Sequence, residues 1–579
     1  MEGSCAEWQC PASSSTSSSE TLGKIQSWIQ ECASKHAQCV NRRREESWYP
    51  TRLLDVGSLE DNCLGSHDCR LTSGINIPNG QRYLTLSHRW GSYSVMKLTT
   101  GNLGVWERGL PLGILSRTFQ DFIELARRMK VRYVWIDSLC IIQDGDGGAD
   151  WLREASTMAD VYTNAFCNVS ADWGTAQNGL YFDRDPKDFD IPCLDMMIDV
   201  DGKRVVESFM AIDGPASGFW NDQVTHSPLN ERAWVLQERL LSPRILHFCP
   251  QEVLFECCET AACERYPDGL PLPAFSGDAP LPKIFQPSET NSYAKSLAER
   301  WKPRDTISGV THSIWPDIVS QYSRCHLTFA SDKLVAISSI ARYLQTLSPG
   351  DIYVAGLWAN SIAAEMAWHR SWVNCRLPEF QRNILVATQG LVKHRAPSFS
   401  WANIDFPVTA GDPLAQGILP FVRCINYRSK SGEAMDAVTE SIFGPLSSPV
   451  VELQVTGYLK RATLQKVEDR VLAIPFADRG SASLWPVNLD SVSDSEDIGD
   501  LEGETLFYIP WQIDDVGSWF VAIFFKLVDS EMARFQRIGI MRSGRVQLKE
   551  LYMRVQDDEP SLPCEFYHES TGTHRVYVI

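Results

Sequence analysis

The sequence predicts an α/β protein built on a parallel sheet, followed by a mainly helical region and a β-rich C-terminal region. Three observations carry this. The short apolar, aromatic and β-branched run at 132–136 reads as a strand buried on both faces, and 83–87 and 166–171 read as its neighbours in the sheet. Helical periodicity over 116–129 and from 150 to 162 separates them, and strand, helix, strand, helix, strand implies parallel pairing with right-handed crossovers. Polar and flexible residues gather directly after the first two runs, at the carboxyl edge where open α/β sheets bind ligands.

Taken in order, residues 1–20 are Ser-rich and expected to be disordered. Residues 21–39 read as a helix with Ile25, Trp28, Ile29 and Cys32 on one face. Its end carries Cys32, His36 and Cys39, but a closed zinc site needs a fourth ligand and none lies at customary spacing, so packing without a metal is expected. The strand at 83–87 exits through His88, Arg89 and Trp90, with Gly91 permitting a sharp turn. Ser116 or Thr118 caps the next helix, whose stripe is Phe119, Phe122, Ile123, Ala126 and Met129. The run at 132–136 ends on Asp137, followed by Cys140, Gln143, Asp144 and the flexible Gly145-Asp146-Gly147-Gly148. Asp150 is placed to cap a helix carrying Trp151, Ala155, Met158, Ala159 and Tyr162. Residues 172–228 give no clear pattern. Residues 230–241 suit a short helix with Trp234, Glu238 and Leu241 on one face, ended by Pro243, and 244–256 reads as a hairpin turning at Pro250.

The stretches YLTLSHRWG (83–91), WIDSLCIIQD (135–144) and RAWVLQERLLSPRILHF (232–248) resemble, in order and spacing, three signature blocks of the fungal heterokaryon-incompatibility (HET) domain family. The likeness extends to WIQECASKHAQC and WYPTRLLDVGS upstream and to YSRCHLTFASDKLVAISSIARYL, YVAGLW and RAPSFSWANID downstream. The resemblance implies a cytoplasmic module of fungal non-self recognition whose activation causes growth arrest or programmed cell death, through self-association or a protein partner. HET domains have been likened to TIR domains, several of which cleave NAD with one glutamate, so the resemblance also implies a TIR-like fold and NAD as a possible substrate. Tyr is frequent in the family at the position of His88, which argues against a catalytic imidazole there. On this basis a HET domain with a helical extension occupies 21–263, a Pro-rich linker 264–290, a mainly helical region 291–406 and a β-rich region 407–579.

Composition narrows the function classes. A net charge of −18 over 579 residues disfavours nonspecific binding to nucleic acid or anionic membranes. The 17 cysteines are odd in number, scattered and follow no secretory signal, which fits reduced thiols in the cytoplasm. The longest strongly apolar stretch, 519–528, is roughly half the ~20 residues a membrane helix needs, so no segment is expected to span a membrane. No Walker loop, Rossmann glycine pattern or internal repeat is present.

The candidate catalytic residues are Glu238, Asp137 and Cys140; the candidate ligand-binding residues are Arg89, Trp90, Gly91, Gln143, Asp144, Arg232, Trp234 and Gln237. All are expected on one rim at the carboxyl edge of the sheet, with Trp234 buried. Each carboxylate has a structural alternative: Asp137 as a hydrogen-bonded anchor, Glu238 as the partner of Arg232, Arg239 or Arg244. Cys140 is either a nucleophile served by His88 or His247, or an inert core thiol. Three kinds of function stay open: a signalling module, an NAD-cleaving hydrolase, and an accessory or tailoring protein of a specialised metabolic pathway.

Overall fold

The computed structural model describes residues 13–40, 47–57, 69–90, 96–186, 193–200, 203–210, 219–270, 310–371, 396–411, 419–420, 422, 424–429, 451–467, 470–475, 485–490, 501–513, 519–544 and 561–579. The chain divides into two compact units, 1–300 and 301–579.

The first unit is built on an eight-stranded sheet among the described residues. Its strands are β1 (Arg52–Asp55), β2 (Arg70–Ser73), β3 (Tyr83–Ser87), β4 (Tyr133–Ile136), β5 (Cys167–Ser170), β8 (Arg244–Phe248), β9 (Val253–Cys257) and β10 (Ala261–Cys263); a separate hairpin pairs β6 (Cys193–Val200) with β7 (Lys203–Met210). The spatial order is β10-β9-β8-β5-β3-β4-β1-β2. The centre is parallel as expected: β3 pairs in parallel with β4 and β5, and β5 with β8. Every residue of β3, β4 and β5 is buried; β4 is apolar throughout, while β3 and β5 carry polar side chains at alternate positions.

The flanks correct a purely parallel sheet. β1 lies antiparallel to both β2 and β4, and β8, β9 and β10 are joined by antiparallel hairpins. Four residues between β8 and β9 are far too few for a parallel crossover. On the other flank Asp55 fixes the pairing, accepting from the Arg132 guanidinium at 2.7 and 3.0 Å and from Arg70 at 3.2 Å.

Among the helices α1 (Ser19–Lys35), α2 (Ala37–Val40), α3 (Leu103–Arg108), α4 (Arg117–Arg128), α5 (Asp137–Cys140), α6 (Ala149–Thr163) and α7 (Ala233–Leu241), α4 and α6 are the crossovers of the parallel centre. Ser116 caps α4, its hydroxyl accepting from the Phe119 N–H. At α6 the capping is done by Asp146, which accepts from the Gly148 and Asp150 N–H groups, and Gly148 holds the left-handed turn at φ +84°. Asp150 instead bridges Arg52 at 2.7 Å and the Ile142 N–H at 2.8 Å.

Two boundary expectations are corrected. Residues 13–20, expected to be disordered with the rest of 1–20, are ordered: Ser18 caps α1, and the Thr16 N–H donates to the Phe182 carbonyl at 2.9 Å. Residues 1–12 lie outside the described residues. The linker expected from 264 begins inside the fold, since Glu264 pairs with the buried Arg184 side chain at 2.7 Å and the Leu270 N–H donates to Ala261 at 2.8 Å. Residues 271–290 of the expected linker lie outside the described residues.

In the second unit the described part of 291–406 holds helices Val310–Tyr322 and Val335–Leu347, with the short pairs β11 (Tyr353–Val354) and β12 (Leu357–Trp358), and β13 (His369–Arg370) and β14 (Val408–Thr409). The β-rich region that follows comprises β15 (Leu419–Pro420), β16 (Cys424–Ser429), β17 (Val451–Gly457), β18 (Lys460–Val467), β19 (Arg470–Pro475), β20 (Trp485–Leu489), β21 (Leu506–Ile513), β22 (Trp519–Asp529), β23 (Arg534–Gly544), β24 (Phe566–His568) and β25 (Thr573–Val578). Six of these close into a barrel among the described residues: β18 pairs β19, β19 pairs β20, β20 pairs β23, β23 pairs β22, β22 pairs β21 and β21 returns to β18, all antiparallel. Alternate residues fill it, among them Ala462, Leu464, Tyr508, Phe520, Ala522, Phe524 and Met541, so the lumen is a packed core. No helix among the described residues is long and apolar enough to cross a membrane.

Candidate functional site

The parallel register of β3 and β5 sets Thr85 opposite Asn168 and Ser87 opposite Ser170. These polar side chains sit on buried strands and must find partners there. They do so in a directed chain: the Thr85 hydroxyl donates to Asn168 Oδ1 at 2.8 Å, Asn168 Nδ2 donates to Ser87 Oγ at 2.9 Å, and the Ser87 hydroxyl donates to Glu238 Oε2. The Tyr162 phenol, from the last turn of α6, lies beside the same carboxyl group and favours its charged form.

Glu238 is 7% exposed. Burial pushes its carboxyl up to about 7, against the pull of the Ser87 hydrogen bond, the Arg232 charge and the Tyr162 hydroxyl, while Asp137 adds to the rise. The expected ion pairs are not how it is satisfied. Arg239 is committed to Glu256 at 3.0 Å, and Arg244 donates to Cys32 Sγ at 3.0 Å and the Phe166 carbonyl at 3.1 Å. Arg232 donates to the His88 carbonyl and acts on Glu238 only through its field.

Above this buried acid lies a more open rim. Asp137, the first residue after β4, has a side chain 25% exposed; it accepts from Trp90 Nε1 at 2.8 Å and from the Ser138 N–H at 2.7 Å. Gln143 Nε2 donates to the Asp137 carbonyl at 3.2 Å. His88 Nδ1 stands 3.7 Å from Asp137, while its ring packs edge-on against Phe119 and burial pushes its pKa down, so the imidazole is neutral. The indole of Trp90 is 38% exposed and Arg89 is exposed.

The structure therefore brings Trp90, Asp137, Gln143, Arg232 and Glu238 into one connected cluster with Ser87 and His88. Other candidates fall elsewhere. Cys140 is 1% exposed and its thiol is pushed up to about 12 by burial; His88 is turned to Asp137, and His247 bridges Asp172 at 2.9 Å and Glu256 at 3.4 Å, so neither imidazole activates it. Asp144 is an exposed residue 3.7 Å from Lys97. Gln237 is fully buried and neither of its amide atoms has a hydrogen-bond partner among the described residues. Gly91 lies outside the described residues.

Trp234 is half-buried, not buried, and meets Trp151 edge-on with ring centroids 6.0 Å apart. A fully buried tryptophan would lose about 3–5 kcal/mol on truncation. With one face solvated, Trp234→Ala is expected to lose about 1–2 kcal/mol, measured by chemical denaturation against wild type.

Sequence reasoning missed Ser87, Thr85, Asn168 and Tyr162. Their signal was polar residues at alternate positions of buried strands, Thr85 and Ser87 on β3 and Asn168 on β5. A recess in the second unit, lined by Glu452, Asp529, Glu531 and Arg534, contains none of the candidates, and its arginine is 2.8 Å from Glu452.

No curated protein and no solved structure matches the chain. A family match exists over residues 83–238, a span that opens on the first residue of β3 and closes on Glu238, enclosing the whole polar chain from Thr85 to that acid. The matching model is that of the heterokaryon incompatibility protein (HET) family, so the chain carries a HET domain at 83–238.

Proposed function

We propose that this protein is a cytoplasmic effector of fungal non-self recognition, that its activation arrests growth or kills the cell, and that Glu238 with the rim above it is the working site. The HET match supports the biological setting, and the chemistry has to be argued from the residues themselves. The observation that carries the reading is Glu238: a buried acid, 7% exposed, that accepts from the Ser87 hydroxyl at the end of the β3–β5 polar chain, is not held by an ion pair, and has its pKa raised to about 7 by burial. A carboxyl group shifted this far, tied to an exposed polar rim, is a candidate functional position. The exposed Trp90 indole beside Asp137 offers an aromatic and an anionic contact to a partner chain or a second copy.

Glu238→Gln tests the reading. The substitution keeps size and the Ser87 acceptor, so folding persists, and overexpression in a susceptible fungal cell is expected to lose its killing effect. A folded variant that kills at the wild-type rate removes Glu238 from the mechanism.

One observation favours a second, TIR-like reading. An acid poised between its two protonation states, in a cluster whose rim carries the exposed Trp90 indole, suits cleavage of the nicotinamide glycosidic bond of NAD, in which water adds at the ribose carbon, nicotinamide departs and a carboxylate steadies the oxocarbenium-like state. Nicotinamide release from NAD by the purified protein, lost in Glu238→Gln, is the result that selects it.

A further inference from the structure

The last turn of α1 sets Cys32 and His36 four residues apart on one helical face, and α2 returns Cys39 to the same point. The end of β9 brings a third thiol, Cys257, from 221 residues beyond His36. One donor atom from each of the four residues lies within 4.8 Å of all the others. Cys32, Cys39 and Cys257 are 0, 4 and 5% exposed, and His36 is half-buried. The three sulfurs are free thiols.

Three thiols and an imidazole converging on one point need an explanation. A disulfide would engage two sulfurs and leave the third and the ring without a role. A single divalent ion engages all four. Tetrahedral zinc at ~2.3 Å from sulfur and ~2.0 Å from nitrogen spaces its ligand atoms by roughly 3.5–4 Å, so the observed cluster needs to tighten by no more than about 1 Å. We propose that Cys32, His36, Cys39 and Cys257 bind one zinc ion as a closed structural site.

The surroundings suit that ion. Three thiolates and a neutral imidazole around Zn²⁺ leave one negative charge, and Arg244 supplies the matching positive charge, with Nε 3.0 Å from Cys32 Sγ. The Glu259 N–H points at Cys257 Sγ from 3.5 Å, and the Glu259 carboxylate accepts from the Gln38 N–H at 2.9 Å, tying α2 to the hairpin from the other side. With four protein ligands there is no open coordination position, so the ion acts as a cross-link between the N-terminal helices and the edge of the sheet. The spacing Cys-x3-His-x2-Cys alone did not announce it, because the fourth ligand belongs to another element.

The experiment is elemental analysis of the full chain purified without chelators. One zinc per chain is expected. Replacement by cobalt is expected to give the visible bands of tetrahedral cobalt together with thiolate charge-transfer absorption. Cys257→Ser and Cys32→Ser are expected to lose the metal and melt several degrees lower, whereas Cys258→Ser, one residue on, keeps both. Wild-type protein that is folded, zinc-free and unable to take up cobalt overturns the proposal whatever the variants do. Zinc retained in Cys257→Ser, or lost only in Cys258→Ser, overturns the ligand set.

Discussion

Arg537→Ala is expected to destabilise the C-terminal unit by about 3–5 kcal/mol, the loss that follows when one partner of a buried pair is removed. The Arg537 side chain is completely buried on β23 and joins Asp490 at 3.0 Å. Its remaining donors go to the Met366 carbonyl at 2.5 Å and the Trp368 carbonyl at 2.6 Å, and its guanidinium lies 3.5 Å from the centre of the Trp368 ring. Alanine would strand a buried carboxylate whose pKa burial already raises, and two carbonyl groups with it. Chemical denaturation monitored through the tryptophans of this unit measures the loss. The double variant Arg537→Met/Asp490→Leu should recover much of it, because an apolar pair leaves no charge uncompensated. A single variant within 1 kcal/mol of wild type would show that water reaches Asp490 freely.

Glu238→Gln has the opposite expected sign. The carboxyl rises from 4.5 to about 7 on folding, so the folded chain holds a proton that the unfolded chain releases between those values. Stability from this group is therefore fully present below pH 4.5 and lost as pH rises through 7, a displacement worth roughly 3 kcal/mol. Glutamine is neutral throughout. The variant should match wild type at pH 4.5 and exceed it by roughly 3 kcal/mol at pH 8, as read from denaturation midpoints at both pH values. Glu365, raised to about 8, has the same slope, and so has His247, whose raised pKa yields stability lost at high pH. Both are common to the two proteins and cancel in the difference. Equal stability at pH 8 would mean that the acid ionises in a hydrated site. Together with the loss of killing expected above, the result would identify a position where the protein gives up stability to keep an acid.

The sequence was most readable where one element explains its own residues. The strands β3, β4 and β5 and the stripe of α4 follow from local pattern, and Ser116 caps as its position suggests. It was least readable where a residue answers to something distant. Ser87 and Glu238 are 151 residues apart, and nothing in either segment names the other. The same holds for Cys257 and His36, whose association was invisible at customary metal-ligand spacing. Trp234 failed for a different reason: all the other residues of its helix are buried, which gives no sign that this ring is half-buried against Trp151. The C-terminal strands were recognisable singly, but ring closure depends on pairings such as β20 with β23 that no single strand encodes.

The mixed order of the sheet separates the span that the family match covers from what can stand alone. Residues 83–238 hold β3, β4, β5 and α7, whereas β1 and β2 precede that span and β8, β9 and β10 follow it. A chain cut to those limits would leave β4 without β1 on one side and β5 without β8 on the other, two bare lines of backbone donors and acceptors flanking an apolar centre. The matched block is thus smaller than the folding unit, and β1 and β8 complete it by covering its two open sides.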